Sequence, residues 1–204
     1  MLLKINPINP DLGIIEKARD YIIDGKLVVF PTDTVYGLAT DPFNENAVKN
    51  LIKVKKRDYS KGLPVLIANI EIAKEFVEFS KVANSIASQF WPGALTLILP
   101  LKKPLPYQVT GYRNSLGIRI PNHDVARRLA KIPIIGTSAN ISGQKSPVTA
   151  EEAMKQLGDA IHLVLDSGPI EKGLPSTILD LSENEPKFLR EGAIKYSELW
   201  SFLR

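Results

Sequence analysis

Cysteine is absent from the 204 residues. That excludes disulfides, thiolate catalysis and Cys-type zinc sites, and it fits a reducing compartment, the cytoplasm. Histidine is nearly absent too, and the two present, His123 and His162, do not form a metal pair at helical spacing. We therefore assign no metal-ligating residue. His162 alternates with Ile161 and Leu163 and reads as an outward strand position, while His123 reads as a structural residue at a helix start. No run of about 18 apolar residues occurs, so no membrane span is expected. Met1 to Pro7 leads into no long apolar region, so no signal peptide is expected. Three catalytic fingerprints are also missing: the Walker phosphate loop, the dinucleotide Gly-x-Gly-x-x-Gly and the Gly-x-Ser-x-Gly elbow. Aromatic residues make up 7 % of the chain, and no aromatic-rich stacking face for RNA is visible.

What is present is a concentration of positive charge. Lys53 to Gly62 holds five basic residues and one acidic residue, an excess equal to the whole chain's net +4. Outside it the charges balance at 21 against 21. Such a cluster suits one compact anion, with triphosphate the first candidate. The bland alternative is a solvated helix end, where Lys and Arg complement the dipole.

The length suits one sizeable domain, residues 1–204, with no linker and no internal repeat. Asp11 and Asn44 are placed to cap two helices, with Gly25 ending the first. Leu27–Phe30, Leu63–Ala68, Leu95–Leu99, Leu116–Ile120, Ile134–Thr137, Ile161–Leu165, Ser176–Leu181 and Lys187–Arg190 read as strands. Helical patterns fall at 70–77, 81–90, 124–131, after Thr149 and at 197–203. Pro100 to Arg113 reads as an irregular loop. The expected fold is α/β with a twisted mixed parallel and antiparallel sheet and flanking helices. Thr32, Asp33, Thr34 and Tyr36 follow a strand end, where ligands lie in open α/β sheets. Arg119 sits in an apolar strand and must have a partner, since burying it unpaired is costly. A nucleotide would have to be held by the side chains of Lys55, Arg57, Lys61, Ser138, Ser146 and Arg190. A site rich in cations and hydroxyls and poor in bases suits phosphoryl or nucleotidyl transfer.

Eight segments together resemble the YrdC-domain family, the L-threonylcarbamoyladenylate synthases. They are Pro31–Leu38, Lys55-Lys56-Arg57, Lys61-Gly62-Leu63, Trp91-Pro92-Gly93, Arg119-Ile120-Pro121, Ser138-Ala139-Asn140, Ser176-Thr177-Ile178 and Leu189–Gly192. The resemblance implies a deep basic cleft in that α/β fold, and formation of threonylcarbamoyl-AMP and pyrophosphate from L-threonine, bicarbonate and ATP. The product would serve threonylcarbamoyladenosine modification of tRNA, completed by downstream transfer proteins. It implies threonine contacts at Thr34, Arg119, Gly136 and Ser176. It implies ATP contacts at Arg57, Lys61, Ser115, Ser138, Asn140, Ser146 and Arg190. Lys55, Arg57 and Lys61 would hold the pyrophosphate charge as catalytic residues, together with Mg²⁺.

Asp33 stands where Glu is frequent in the family, Thr137 where Pro is frequent, and Leu66 where some members carry a threonine-contacting His. The chain resembles the short, single-domain form without the long form's linker and second domain. Two other readings stand beside this one. One is carbamoyl-adenylate formation, as in hydrogenase maturation carbamoyltransferases, which carry Cys-rich zinc fingers. The other is a non-catalytic RNA-binding module, with tRNA as partner, whose basic cleft tracks phosphates.

Overall fold

Short polar side chains set most helix starts in this computed structural model, which describes residues 1–171 and 173–203. Lys172 and Arg204, included in the expected domain, lie outside the described residues. After strand β1 (Leu2–Lys4), the Asp11 carboxylate accepts from Ile14 N at 3.0 Å and opens helix α1 (Leu12–Ile23). Gly25, at φ 74°, turns the chain out of that helix into β2 (Val28–Phe30). The Pro31–Tyr36 turn leads to β3 (Gly37–Ala39), and Asn44 caps α2 (Glu45–Val54) through Ala47 N. Ala47, Val48, Leu51 and Ile52 are its buried face.

Next come β4 (Val65–Leu66), α3 (Ile70–Phe76), α4 (Lys81–Phe90) and β5 (Leu95–Pro100). Trp91 lies under the α4–β5 turn and donates from Nε1 to Leu95 O at 2.7 Å. The stretch from Pro100 to Arg113 is not wholly irregular. It contains one helical turn, α5 (Tyr107–Thr110), anchored by the fully buried Val109. Strand β6 (Ser115–Arg119), helix α6 (Asp124–Leu129) and strands β7 (Ile134–Ile135) and β8 (Thr137–Ser138) follow. Then come α7 (Ala150–Leu157), β9 (Leu163–Asp166), β10 (Thr177–Asp180), β11 (Lys187–Arg190) and α8 (Tyr196–Trp200). At α7 the capping box is displaced by one residue: Thr149 accepts from Glu152 N, but the Glu152 carboxylate accepts from Val148 N.

The fold is α/β, as expected, but the strands form two mixed sheets where we expected one. The smaller runs β1-β9-β2-β3-β8 and the larger β11-β10-β5-β6-β4-β7. Ile134 to Thr137, read as one strand, is the crossing point. Ile135 pairs with Val65 in the larger sheet, and Thr137 pairs with Leu38 in the smaller. Hydrophobic alternation cannot show a change of partner. Gly136 makes the crossing possible: a Cβ there would lie 2.2 Å from Leu66 Cγ. Two apolar clusters hold the layers. Val28 and Phe30 point into one with α1 and α6, and Val29 points into the other. A strand buried on both faces reads as a continuous apolar run, which Leu27–Phe30 is. Among the described residues no helix is long and apolar enough to cross a membrane.

Candidate active site

The two sheets face each other across a cavity of about 430 Å³, within the range of small-molecule sites. The smaller sheet and its turn contribute Phe30, Thr32, Thr34, Gly37 and Ser138 to the wall. The larger contributes Leu66, Thr96, Ser115, Arg119, Ile178 and Arg190. Arg57, Lys61 and Arg113 close the rim from loops. Five cations line this space and, among the described residues, no carboxylate does.

At one end the Thr32 hydroxyl organises the turn. It donates to Val35 O at 2.7 Å and accepts from Thr34 N and Val35 N. With that hydrogen spent, the Thr34 hydroxyl donates to Thr32 Oγ1 at 2.9 Å and accepts from Arg119 at 3.1 Å. Arg119 is completed by Asp33 at 2.6 Å and by Gly93 O at 2.9 Å. The partner that this buried strand arginine had to have is therefore Asp33. Burial lowers the Arg119 pKa, and the Asp33 carboxylate opposes that shift. Burial also lowers the pKa of His123, against the pull of Asp33 and Asp124. Tyr36, grouped with these residues in sequence, turns away and donates to Gly168 O at 2.7 Å.

The other end is built by a helix stop. Arg57 N reaches Ile52 O and Lys56 N reaches Lys53 O, a Schellman pattern with Lys56 at φ 49°. Glycine usually holds that left-handed position, so Lys56 carries strain on the order of 1 kcal/mol. The turn delivers Arg57 to the rim, where it donates to Lys61 O and Gly62 O. Arg190 donates to Ser176 O at 3.0 Å and to Ser176 Oγ at 3.1 Å, with Thr96 Oγ1 2.9 Å from that hydroxyl. Burial lowers the Arg190 pKa, and the Arg119 and Arg57 charges lower it further. Burial also lowers that of Arg57, against Asp58. Arg57, Lys61, Arg113 and Arg190 make no ion pair among the described residues.

The cavity thus collects Thr34, Arg57, Lys61, Ser115, Ser138, Arg119, Gly136, Ser176 and Arg190 from the expected site. It does not collect Lys55, Asn140 or Ser146. Lys55 is 1 % exposed, and its ammonium is spent on two backbone carbonyls, Ser138 O and Asn140 O. The Asn140 amide is turned into its own loop, donating to Ile141 O and Gln144 O. Ser146 is half-buried outside the wall. Thr32, expected at a ligand-binding strand end, lines the cavity, whereas Arg113, Thr96 and Thr137 line it without having been read as binding residues. Arg113 lies in the stretch read as a loop, and its signal was a cation two residues before strand β6. Among the described residues, no protein-held position for the expected Mg²⁺ is found. Among the described residues no three His, Cys, Asp or Glu cluster, and Asp33 is already bonded to Arg119.

A family model described as "Telomere recombination", Sua5_yciO_yrdC, matches residues 20–192. The threonylcarbamoyl-AMP synthase of Pyrococcus abyssi is 39 % identical over 89 % of this chain and 55 % of its own length. This chain therefore spans little more than half of that relative. A putative threonylcarbamoyl-AMP synthase of Methanocaldococcus jannaschii is 32 % identical, over 97 % of this chain and 96 % of its own. The crystal structure of P. abyssi Sua5 complexed with L-threonine superposes with a TM-score of 0.94 at 34 % identity. It covers 100 % of this chain and 61 % of that one. This chain belongs to the Sua5/YciO/YrdC family.

Proposed function

We propose that this protein is a threonylcarbamoyl-AMP synthase. The observation that carries the reading is one cavity with two unlike ends. One holds an arginine already neutralised by Asp33, and the other holds arginines and a lysine without counter-ions. A small zwitterion suits the first end and a triphosphate the second.

L-threonine lies against Thr34, Arg119 and Gly136, with its carboxylate on Arg119, and reaches Ser176, which Arg190 holds at the border with the nucleotide end. ATP lies along Arg57, Lys61, Ser115, Ser138 and Arg190. The threonine amine and bicarbonate give a carbamate and water. A carbamate oxygen attacks the α-phosphorus of ATP, and the bond to the bridging oxygen breaks. Threonylcarbamoyl-AMP forms and pyrophosphate leaves, its charge held by Arg57 and Lys61. Each charge-assisted hydrogen bond there contributes about 1.5–3 kcal/mol. Any Mg²⁺ would arrive on the triphosphate, and no step is assigned to it. In the cytoplasm the product passes to transfer proteins that modify tRNA.

Purified protein with ATP, L-threonine and bicarbonate should release pyrophosphate. Leaving out threonine should abolish the release. Serine should replace threonine poorly, because a missing methyl costs about 1–3 kcal/mol. Pyrophosphate release that ignores threonine would overturn the reading. So would nucleic-acid binding that weakens steeply with salt and no adduct formation, which is the behaviour of an RNA-binding module.

A further inference from the structure

We propose that Lys55 is a positioning residue: from behind the cavity its ammonium clamps the Ser138–Asn140 turn and so sets Ser138 toward the nucleotide. This rests on the nucleotide reading above. Four observations carry it. Lys55 is 1 % exposed and is not part of the cavity wall, whereas Ser138 is. The ammonium donates to Ser138 O and, at 2.7 Å, to Asn140 O, more than eighty residues away in the chain. The grip is doubled by the backbone, with Ser142 N donating to Lys55 O at 2.8 Å. Finally, the left-handed residue Lys56 separates Lys55, facing inward, from Arg57, facing the cavity.

The turn needs such a clamp. Strand β8 is two residues long and is an edge strand, paired with β3 alone. Past Ser138 the sheet no longer dictates where the chain runs. If Lys55 were apolar, the buried Asn140 O would lose its donor and Ser138 O would keep only Asn140 N, at 3.0 Å. A lysine supplies both carbonyls without a carboxylate, and the stretch from Ser138 to Gln144 contains none. The charge is therefore held by carbonyl dipoles, and burial with Arg57 alongside brings its pKa down to about 7.

The test is a double-mutant cycle on the whole chain, Lys55→Met with Ser138→Ala, read as ATP affinity by calorimetry. Lys55→Met alone should weaken ATP binding by about tenfold or more. In the Ser138→Ala background it should cost less than about threefold, because the residue it positions is gone. Additive losses would mean that Lys55 meets the nucleotide by itself and would overturn the proposal. A second measurement needs no variant. Under amine acetylation Lys61 should be labelled, with protection by ATP, and Lys55 should stay unlabelled with or without ATP. Labelling of Lys55 that ATP suppresses would equally overturn it. Hydrogen exchange separates this idea from the nucleotide reading. The Ala139–Ser142 amides should exchange at least about tenfold faster in Lys55→Met with no ligand added. Unchanged exchange would refute the clamp even if ATP binds, and a protein that binds no ATP would refute the nucleotide reading alone.

Discussion

The two ends of the cavity use the same chemistry in opposite ways. At the Arg119 end the guanidinium is buried and bound by Asp33, Thr34 and Gly93, so its orientation is fixed before any ligand arrives. At the Arg57–Lys61–Arg190 end the two guanidinium groups touch carbonyls and a hydroxyl, burial lowers the pKa of both, and the Arg119 and Arg57 charges lower that of Arg190 further. The first end is neutral and preorganised. The second stores unfavourable charge that a polyanion relieves on binding. On the proposed function, the Arg119 end serves both stability and the amino acid, and the other end serves the nucleotide. The Asp33–Arg119 pair ties the Pro31–Tyr36 turn to β6, and the proposed nucleotide end keeps its cations without ion pairs among the described residues.

The sharpest way to break this contrast is Arg119→Ala. It leaves the partly exposed Asp33 carboxylate without its cation, so unfolding free energy should drop by about 3 kcal/mol, the low end for a broken buried pair, in denaturant titrations. Threonine-dependent kcat/KM should also fall at least about a hundredfold. Combining Arg119→Met with Asp33→Asn should recover most of the stability and none of the activity. A double variant that regained activity would show the pair to be structural alone.

The buried ammonium behind the second end is tested by pH. Lys55, near 7 when folded against an ordinary 10.5, binds fewer protons in the native chain than in the unfolded one. Stability therefore rises with pH between those values. The gain should be on the order of 3 kcal/mol between pH 7 and 10, read as wild type minus Lys55→Met. A flat difference would mean that the carbonyls hold the charge without penalty.

Next in size is Lys61→Ala. It should raise the KM for ATP about ten- to a hundredfold and leave the melting temperature unchanged, since Lys61 is exposed. A lowered melting temperature would blur the division between the ends. Smallest is Glu45→Gln, which removes an exposed pair with Lys49 at 2.7 Å. Its melting temperature should match wild type within error, because surface pairs are screened and cost side-chain entropy.

Much of the framework is legible in neighbouring residues. Asp11, Asn44 and Thr149 cap their helices within three positions in the chain, so spacing suffices to find them. The basic cluster stands out against a balanced remainder, and part of it reaches the cavity rim. Strands β1 and β3 were missed. Leu2–Lys4 is half-exposed, and Gly37–Ala39 follows a polar turn, so neither shows a two-residue alternation. Lys55 and Arg57 look alike in sequence, both basic and two apart. The strained turn at Lys56 sends one into the interior and the other into the cavity.

The chain's order of residues set helix starts, the charge excess and the hydroxyl-rich turns, because each depends on atoms a few bonds apart. Tertiary structure decided which cation is neutralised, which is buried and which is free for a ligand. Those outcomes hang on partners such as Asp33 for Arg119 and Ser138 for Lys55, eighty or more residues distant. Charge energies depend on distance and on exclusion of water, and neither exists until the two sheets close on each other.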